Sequence, residues 1–226
     1  MISNLQLSHL SPLTDALPVL IGAWYFRNIS IDLVPVYFFF YFTTLQDYFT
    51  TLLAMSHYPN VWLINIYQLI ESVFYPFLFH RFLSGKKMNL LFLLLLLSVF
   101  LIWTYTTFFI YSRNEPNSIT RTFGGLLIVL YAGNTLIRLS KDTTVFLFYN
   151  PWFWLASGCL IYFTFSLIVY SVLPMIVGNQ YIPYVYDPVW MVHSIMNIFS
   201  NLLFAITFLC LNRTSRFPPT KSFSRS

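Results

Sequence analysis

The run VWLINIYQLIESVFYPFLFHR, residues 61–81, has the length a bilayer core requires: about 20 residues, each rising ~1.5 Å in a helix. Trp62 stands at one end and His80-Arg81 at the other, with Glu71 at the midpoint. A charged side chain at that depth costs about 2.5–3.5 kcal/mol on insertion scales for Asp and basic residues, so Glu71 is expected to face protein or water rather than lipid. This one segment predicts a membrane span and a polar interior face together.

The flanking sequence is of the same kind. Of 226 residues, 58% are hydrophobic and 8% charged, far below the roughly 25% charged of a soluble domain. An all-α, polytopic integral membrane domain is predicted over residues 1–211, with a polar, basic tail, predicted disordered, over 212–226. Seven spans are expected near Ser11–Arg27, Val34–Ala54, Val61–Arg81, Met88–Tyr111, Ile119–Leu139, Pro151–Leu173 and Pro188–Leu211. The first is short and carries Pro12, Asp15 and Pro18. It lacks the basic n-region of a signal peptide and is expected to be retained. Leucines dominate Leu90–Leu97 in the fourth span, and a helix apolar on all sides is expected to meet lipid over much of its surface.

Alternating the connections sorts the charge. Arg27, Arg81, Lys86, Lys87, Arg138, Lys141, Arg213, Arg216, Lys221 and Arg225 fall on one side, and only Arg113 and Arg121 on the other. By the positive-inside rule the N-terminus is outside and the C-terminus inside. Trp62, Trp190, Tyr58 and Tyr186 would form an outer aromatic belt, and Trp24, Trp152 and Trp154 an inner one. The net charge of +5 is spread between apolar segments, where it suits anionic lipid headgroups. It forms no patch of the sort nucleic-acid binding requires. Membrane lipids are therefore the expected partners, and nucleic acid is not.

Weak internal similarity divides the spans. Pro59-Asn-Val-Trp62 opens the third and Pro188-Val-Trp190 the seventh, while Tyr41-Phe-Thr43 recurs as Tyr162-Phe-Thr164. A three-plus-one-plus-three arrangement around the fourth helix follows as an expectation. Cys159 and Cys210 sit at different predicted depths, ~10 Å apart, too far for a disulfide. Small residues at Gly124, Gly125, Ala132, Gly133, Ser157 and Gly158 mark expected close helix contacts.

Seven acids are present, and three, Asp15, Asp47 and Glu71, fall inside spans. No Lys or Arg lies deep in any span, so these acids are expected to lack a cationic partner. Glu71 is then expected to be at least partly protonated near neutral pH. Asp47, Gln68 and Asn197 lie about 4–5 Å to the outer side of Glu71 by helical rise, with Asn65 and His193 further out. Asn65, Gln68, Glu71, Ser72 and Tyr75 share one face, and His193, Asn197 and Asn201 form a stripe at spacing four. Two polar stripes at matching depth predict an outward-facing pocket, with Asp47, Asn65, Gln68, Glu71, His193 and Asn197 as ligand- or proton-binding residues. The alternative is that the same groups only hydrogen-bond one another between helices.

No metal site is expected, because His193 has too few N, S or O neighbours for zinc. No cofactor is expected either. GxSxG, HExxH and a phosphate-cradling glycine loop are absent, and no lysine occupies the seventh span for a retinal Schiff base. A ceramidase-like hydrolase would have paired histidines, but the position four after His193 is Asn197. Asp47, Glu71 and His193 are the sole acid–base group an intramembrane enzyme could use.

The runs WLINIYQLIESVFY (62–75), FWLASGCLIYFTFSL (153–167) and HSIMNIFSNLLFAI (193–206) resemble a group of seven-helix bacterial membrane proteins. That resemblance implies this topology and a bacterial inner-membrane location, and it carries no activity. Helix count and orientation are also similar to the sugar-transporting three-plus-one-plus-three family, although its Pro-Gln hinge signature is not present here. The expected role is a sensor or receptor-like subunit that binds a small ligand or proton and signals through a partner protein. A small-solute or proton-coupled transporter is the alternative, and an intramembrane enzyme the third reading.

Overall fold

The computed structural model describes residues 4–85, 88–111, 115–141, 146–177 and 183–210, with side chains outside 4–12 and 172–190. Among these residues there are seven α-helices and no strand: α1 Asn4–Trp24, α2 Val34–Met55, α3 Val61–Ser84, α4 Leu90–Tyr105, α5 Ser118–Lys141, α6 Pro151–Val177 and α7 Pro183–Leu209. Each expected span coincides with a helix. The expected tail 212–226, Lys86, Lys87 and Arg113 lie outside the described residues, as do the side chains of Tyr186 and Trp190. The loop expected from Pro174 to Asp187 is shorter than the sequence suggests, because α6 and α7 both extend into it.

Asparagine starts three of these helices. The side-chain oxygens of Asn89, Asn117 and Asn150 each accept a 3.0 Å bond from a backbone N–H at the opening of α4, α5 and α6, satisfying a donor that a helix start leaves free. Pro35 near the start of α2 and Pro151 opening α6 occupy positions where no helical N–H is needed. Gly85 ends α3 at φ +66°, a conformation that suits glycine. Pro76 lies inside α3 and removes the bond that Ser72 O would otherwise accept.

Among the described residues, five stretches are long and apolar enough to cross a membrane: Val61–Ser84, Leu90–Ile110, Ser118–Lys141, Pro151–Ser171 and Met191–Leu209. The seven expected spans are thus reduced to five that qualify on length and hydropathy. In α1 only the shorter apolar stretch Leu13–Trp24 is found. The helix α2 is 22 residues long, but Thr43, Thr44, Gln46, Asp47, Thr50 and Thr51 make its second half polar.

The most extensive contacts join α5 to α6, α1 to α7, α6 to α7 and α3 to α5. Within the core, Phe39, Phe79, Phe163, Phe204 and Phe208 pack around Ile128, Leu155 and Cys159. The helix α4 is peripheral: only 17% of the most apolar part of Leu90–Ile110 is buried. One end of the bundle collects basic groups, with Arg81 3.7 Å from Asp32 and Arg138 donating to Leu83 O. Neither cysteine is in a disulfide, and both are buried.

The predicted close contacts are found at Gly124, Gly125 and Gly158 and not at Gly133. A Cβ on Gly124 would fall on Ser72 Oγ and 2.5 Å from Ser72 Cβ, and one on Gly158 would lie 2.5 Å from the Phe204 ring. Gly125 faces Leu167 at 3.2 Å. Gly133, also expected at a close contact, has nothing within 4 Å.

Candidate functional site

Glu71 has a cationic partner, contrary to the sequence expectation. Arg121 Nη1 donates to Glu71 Oε2, and the two side chains are 5% and 4% exposed. The sequence assigned Arg121 to an outer connection by its distance from the edge of a span. In the fold, the Gly124–Ser72 contact sets the level of α5 against α3. Arg121 then starts only three residues, about 4.5 Å, from the level of Ser72 toward the N-terminal end of α3, and its side chain reaches the carboxylate. The expectation of a protonated Glu71 rested on the missing cation and is withdrawn with it.

The guanidinium is held on several sides. Arg121 Nη2 donates to Tyr162 OH at 3.0 Å. Its Cζ lies 5.5, 5.3 and 5.4 Å from the ring centres of Tyr162, Phe163 and Tyr170, within cation–π range. Tyr67 OH donates to Glu71 Oε1 at 3.2 Å and meets Thr43 Oγ1 at 3.1 Å. A single ion pair thereby ties α3 to α5, with hydrogen bonds outward to α6 and α2. Burying two charges is repaid only when their remaining donors and acceptors are also satisfied.

Satisfaction is incomplete at one place. Gln68 is 1% exposed, yet neither its Oε1 nor its Nε2 has a partner, and Arg121 Nε is also open. Among the described residues these are three of the five buried side-chain polar atoms without a hydrogen bond, the others being Gln46 Oε1 and Ser200 Oγ. Gln68 stands one turn from Glu71 and Ser72 on the same face of α3. The unfilled capacity therefore gathers beside the ion pair.

A second polar group lies between α1, α2 and α7. Asn197 Nδ2 donates to Asp15 Oδ1 at 3.0 Å, and Asn201 Nδ2 donates to Asp15 Oδ1 and, at 3.1 Å, to Thr14 Oγ1. Asp47 lies close enough to Asp15 for the two carboxyl groups to influence each other electrostatically. Asp47 is within electrostatic reach of Glu71 and Arg121, which connects the two groups.

His193 sits between the groups. Its Nε2 is 3.5 Å from Ser166 Oγ, and its ring centre is 5.8 Å from Tyr162 and 6.5 Å from Tyr170. The helix α7 thus directs His193 toward rings that flank Arg121. No group of three or more His, Cys, Asp or Glu capable of holding a metal ion is found among the described residues.

Of the six residues named from the sequence, Asp47, Gln68, Glu71, His193 and Asn197 fall in or beside this connected interior. Asn65 stands apart. Its Nδ2 donates to Glu115 O at 3.2 Å, its Oδ1 accepts from Asn117 N at 3.0 Å, and its backbone O accepts from Trp103 Nε1 at 2.9 Å. It fastens the approach to α5. Sequence reasoning passed over Arg121, Tyr67 and Tyr162 and counted Asp15 and Asn201 only as interior polar residues. A signal for Arg121 was present: Gly124 and Gly125 follow at spacing three and four, which puts the arginine on a close-packed helix face. The chain matches no protein-family model, no curated protein and no solved structure.

Proposed function

We propose that this is a seven-span inner-membrane protein, arranged three-plus-one-plus-three with its N-terminus outside. Its interior polar network binds a small ligand or proton and reports the event to a partner as a sensor or receptor-like subunit. The observation that carries the reading is Gln68, buried beside the Glu71–Arg121 pair with both polar atoms unpartnered. An orphaned buried polar group costs about 1–3 kcal/mol, and an incoming group with one donor and one acceptor recovers that cost. Replacing Gln68 by leucine is therefore expected to leave stability unchanged or raise it. The same change should abolish any thermal stabilisation that small amides, amines or carboxylic acids give the nanodisc-reconstituted protein. A marked loss of stability in Gln68→Leu, with no compound stabilising the parent, would refute the reading.

A transporter is the second reading, and the Asp15–Asp47 pair favours it. A proton-coupled carrier needs an interior carboxyl that can take up and release a proton, and Asp15, held by Asn197 and Asn201 of α7, lies near Asp47 of α2. Proton flux into proteoliposomes, lost in Asp47→Asn, would select the carrier over the sensor. Topology is tested separately. A reporter at the C-terminus is expected to report cytoplasm and one at the N-terminus the outside, and both ends on one side would remove a span.

A further inference from the structure

At the end of the bundle opposite the Asp32–Arg81 pair, a groove of about 850 Å³ opens between α3 and α4. Trp62, Asn65 and Ile66 of α3 form one wall, and Trp103, Thr107 and Phe108 the other. Its volume falls within the range of small-molecule sites, roughly 300–1,000 Å³. The walls are fixed by bonds made for other purposes. Trp103 Nε1 donates to Asn65 O at 2.9 Å, and Asn117 Nδ2 donates to the hydroxyls of Thr106 and Thr107 at 2.6 and 3.0 Å. At this point α4 widens into a π turn, Thr106–Ile110, closed by Tyr111 N donating to Thr106 O at 2.9 Å. Such turns recur at functional sites.

The groove's surroundings indicate what fills it. Both walls belong to helices long and apolar enough to cross a membrane. Its rim runs without a break into exposed apolar surface, with Ile66 40%, Phe100 50%, Phe108 71% and Phe109 76% exposed. The medium against that surface is hydrocarbon. Tyr58 and Tyr111 close the outer end, where amphipathic rings suit the headgroup level. We propose that this groove is a specific site for one acyl chain of a bilayer phospholipid, entering from the lipid phase with its headgroup beside Tyr58 and Tyr111. It is distinct from the ion-pair interior and independent of the sensor reading. Asn65 in its wall, whose carbonyl holds Trp103, lies one turn from Gln68 on the same face of α3.

The test uses the full chain in nanodiscs of phosphatidylethanolamine and phosphatidylglycerol, titrated with a nitroxide-labelled phosphatidylethanolamine. Quenching that belongs to Trp103 is read as the difference between the parent and Trp103→Phe. A specific site gives quenching that saturates at about one labelled lipid per chain. Filling the groove with Ile66→Trp should lower the phospholipid retained after detergent exchange by roughly tenfold, the equivalent of about 1.4 kcal/mol. Its melting curve is expected to match the parent's. Quenching that rises linearly with label, as bulk contact does, would overturn the proposal. So would undiminished retention in a folded Ile66→Trp protein. If Ile66→Trp does not fold, the quenching curve alone decides.

Discussion

Arg121→Met is expected to destabilise the protein by about 3–5 kcal/mol, because it leaves the Glu71 carboxylate buried without its counter-charge. The side chains are 5% and 4% exposed, so water cannot take the place of the guanidinium. Tyr162 also loses the bond it accepts, and three aromatic rings lose the cation they surround. Glu71→Leu alone should be costly for the converse reason. The double variant Arg121→Met with Glu71→Leu removes both charges and restores apolar volume, and replacing a buried pair in this way is often neutral or stabilising. Unfolding midpoints of the three variants measure the coupling. Equal costs for the double variant and the sum of the singles would mean the two residues do not act as a pair.

Gly124→Ala carries the second large effect. Its added Cβ would land on Ser72 Oγ and 2.5 Å from Ser72 Cβ, so α5 must move away from α3. Overpacking of this sort costs about 1–3 kcal/mol, and here it also shifts the level at which Arg121 meets Glu71. Adding Ser72→Gly clears the obstacle and should recover most of the loss. Gly133→Ala is the control on the same helix. Nothing lies within 4 Å of its Cβ, and alanine's better helix propensity, about 1 kcal/mol, should make that change neutral or stabilising. Similar melting shifts at the two glycines would contradict the packing described for α3 and α5.

Much of the architecture could be read directly because hydropathy and punctuation agree. Pro59-Asn60 before α3, Asn117 before α5 and Asn150-Pro151 before α6 mark helix starts, and Leu90–Leu97 announces a peripheral helix. What the sequence could not provide was relative depth. Arg121 and Glu71 are 50 residues apart, and only the Gly124–Ser72 contact fixes how far α5 sits along α3. For the same reason Asn65 looked like a member of the polar stripe: it shares a face with Gln68, but its side chain is taken by the backbone of Glu115 and Asn117. The stripe on α7 was legible through its four-residue spacing, and Asn197 and Asn201 both reach Asp15. That its partner would be a carboxyl on α1 depends on tertiary packing.

The buried pairing with Arg121 is expected to keep the Glu71 carboxyl ionised. Infrared spectroscopy of the carbonyl stretch of protonated carboxyl groups, at neutral pH in nanodiscs, tests it most directly. Any protonated-carboxyl band of the parent is expected to persist unchanged in Glu71→Gln. A band that vanishes in Glu71→Gln would contradict it.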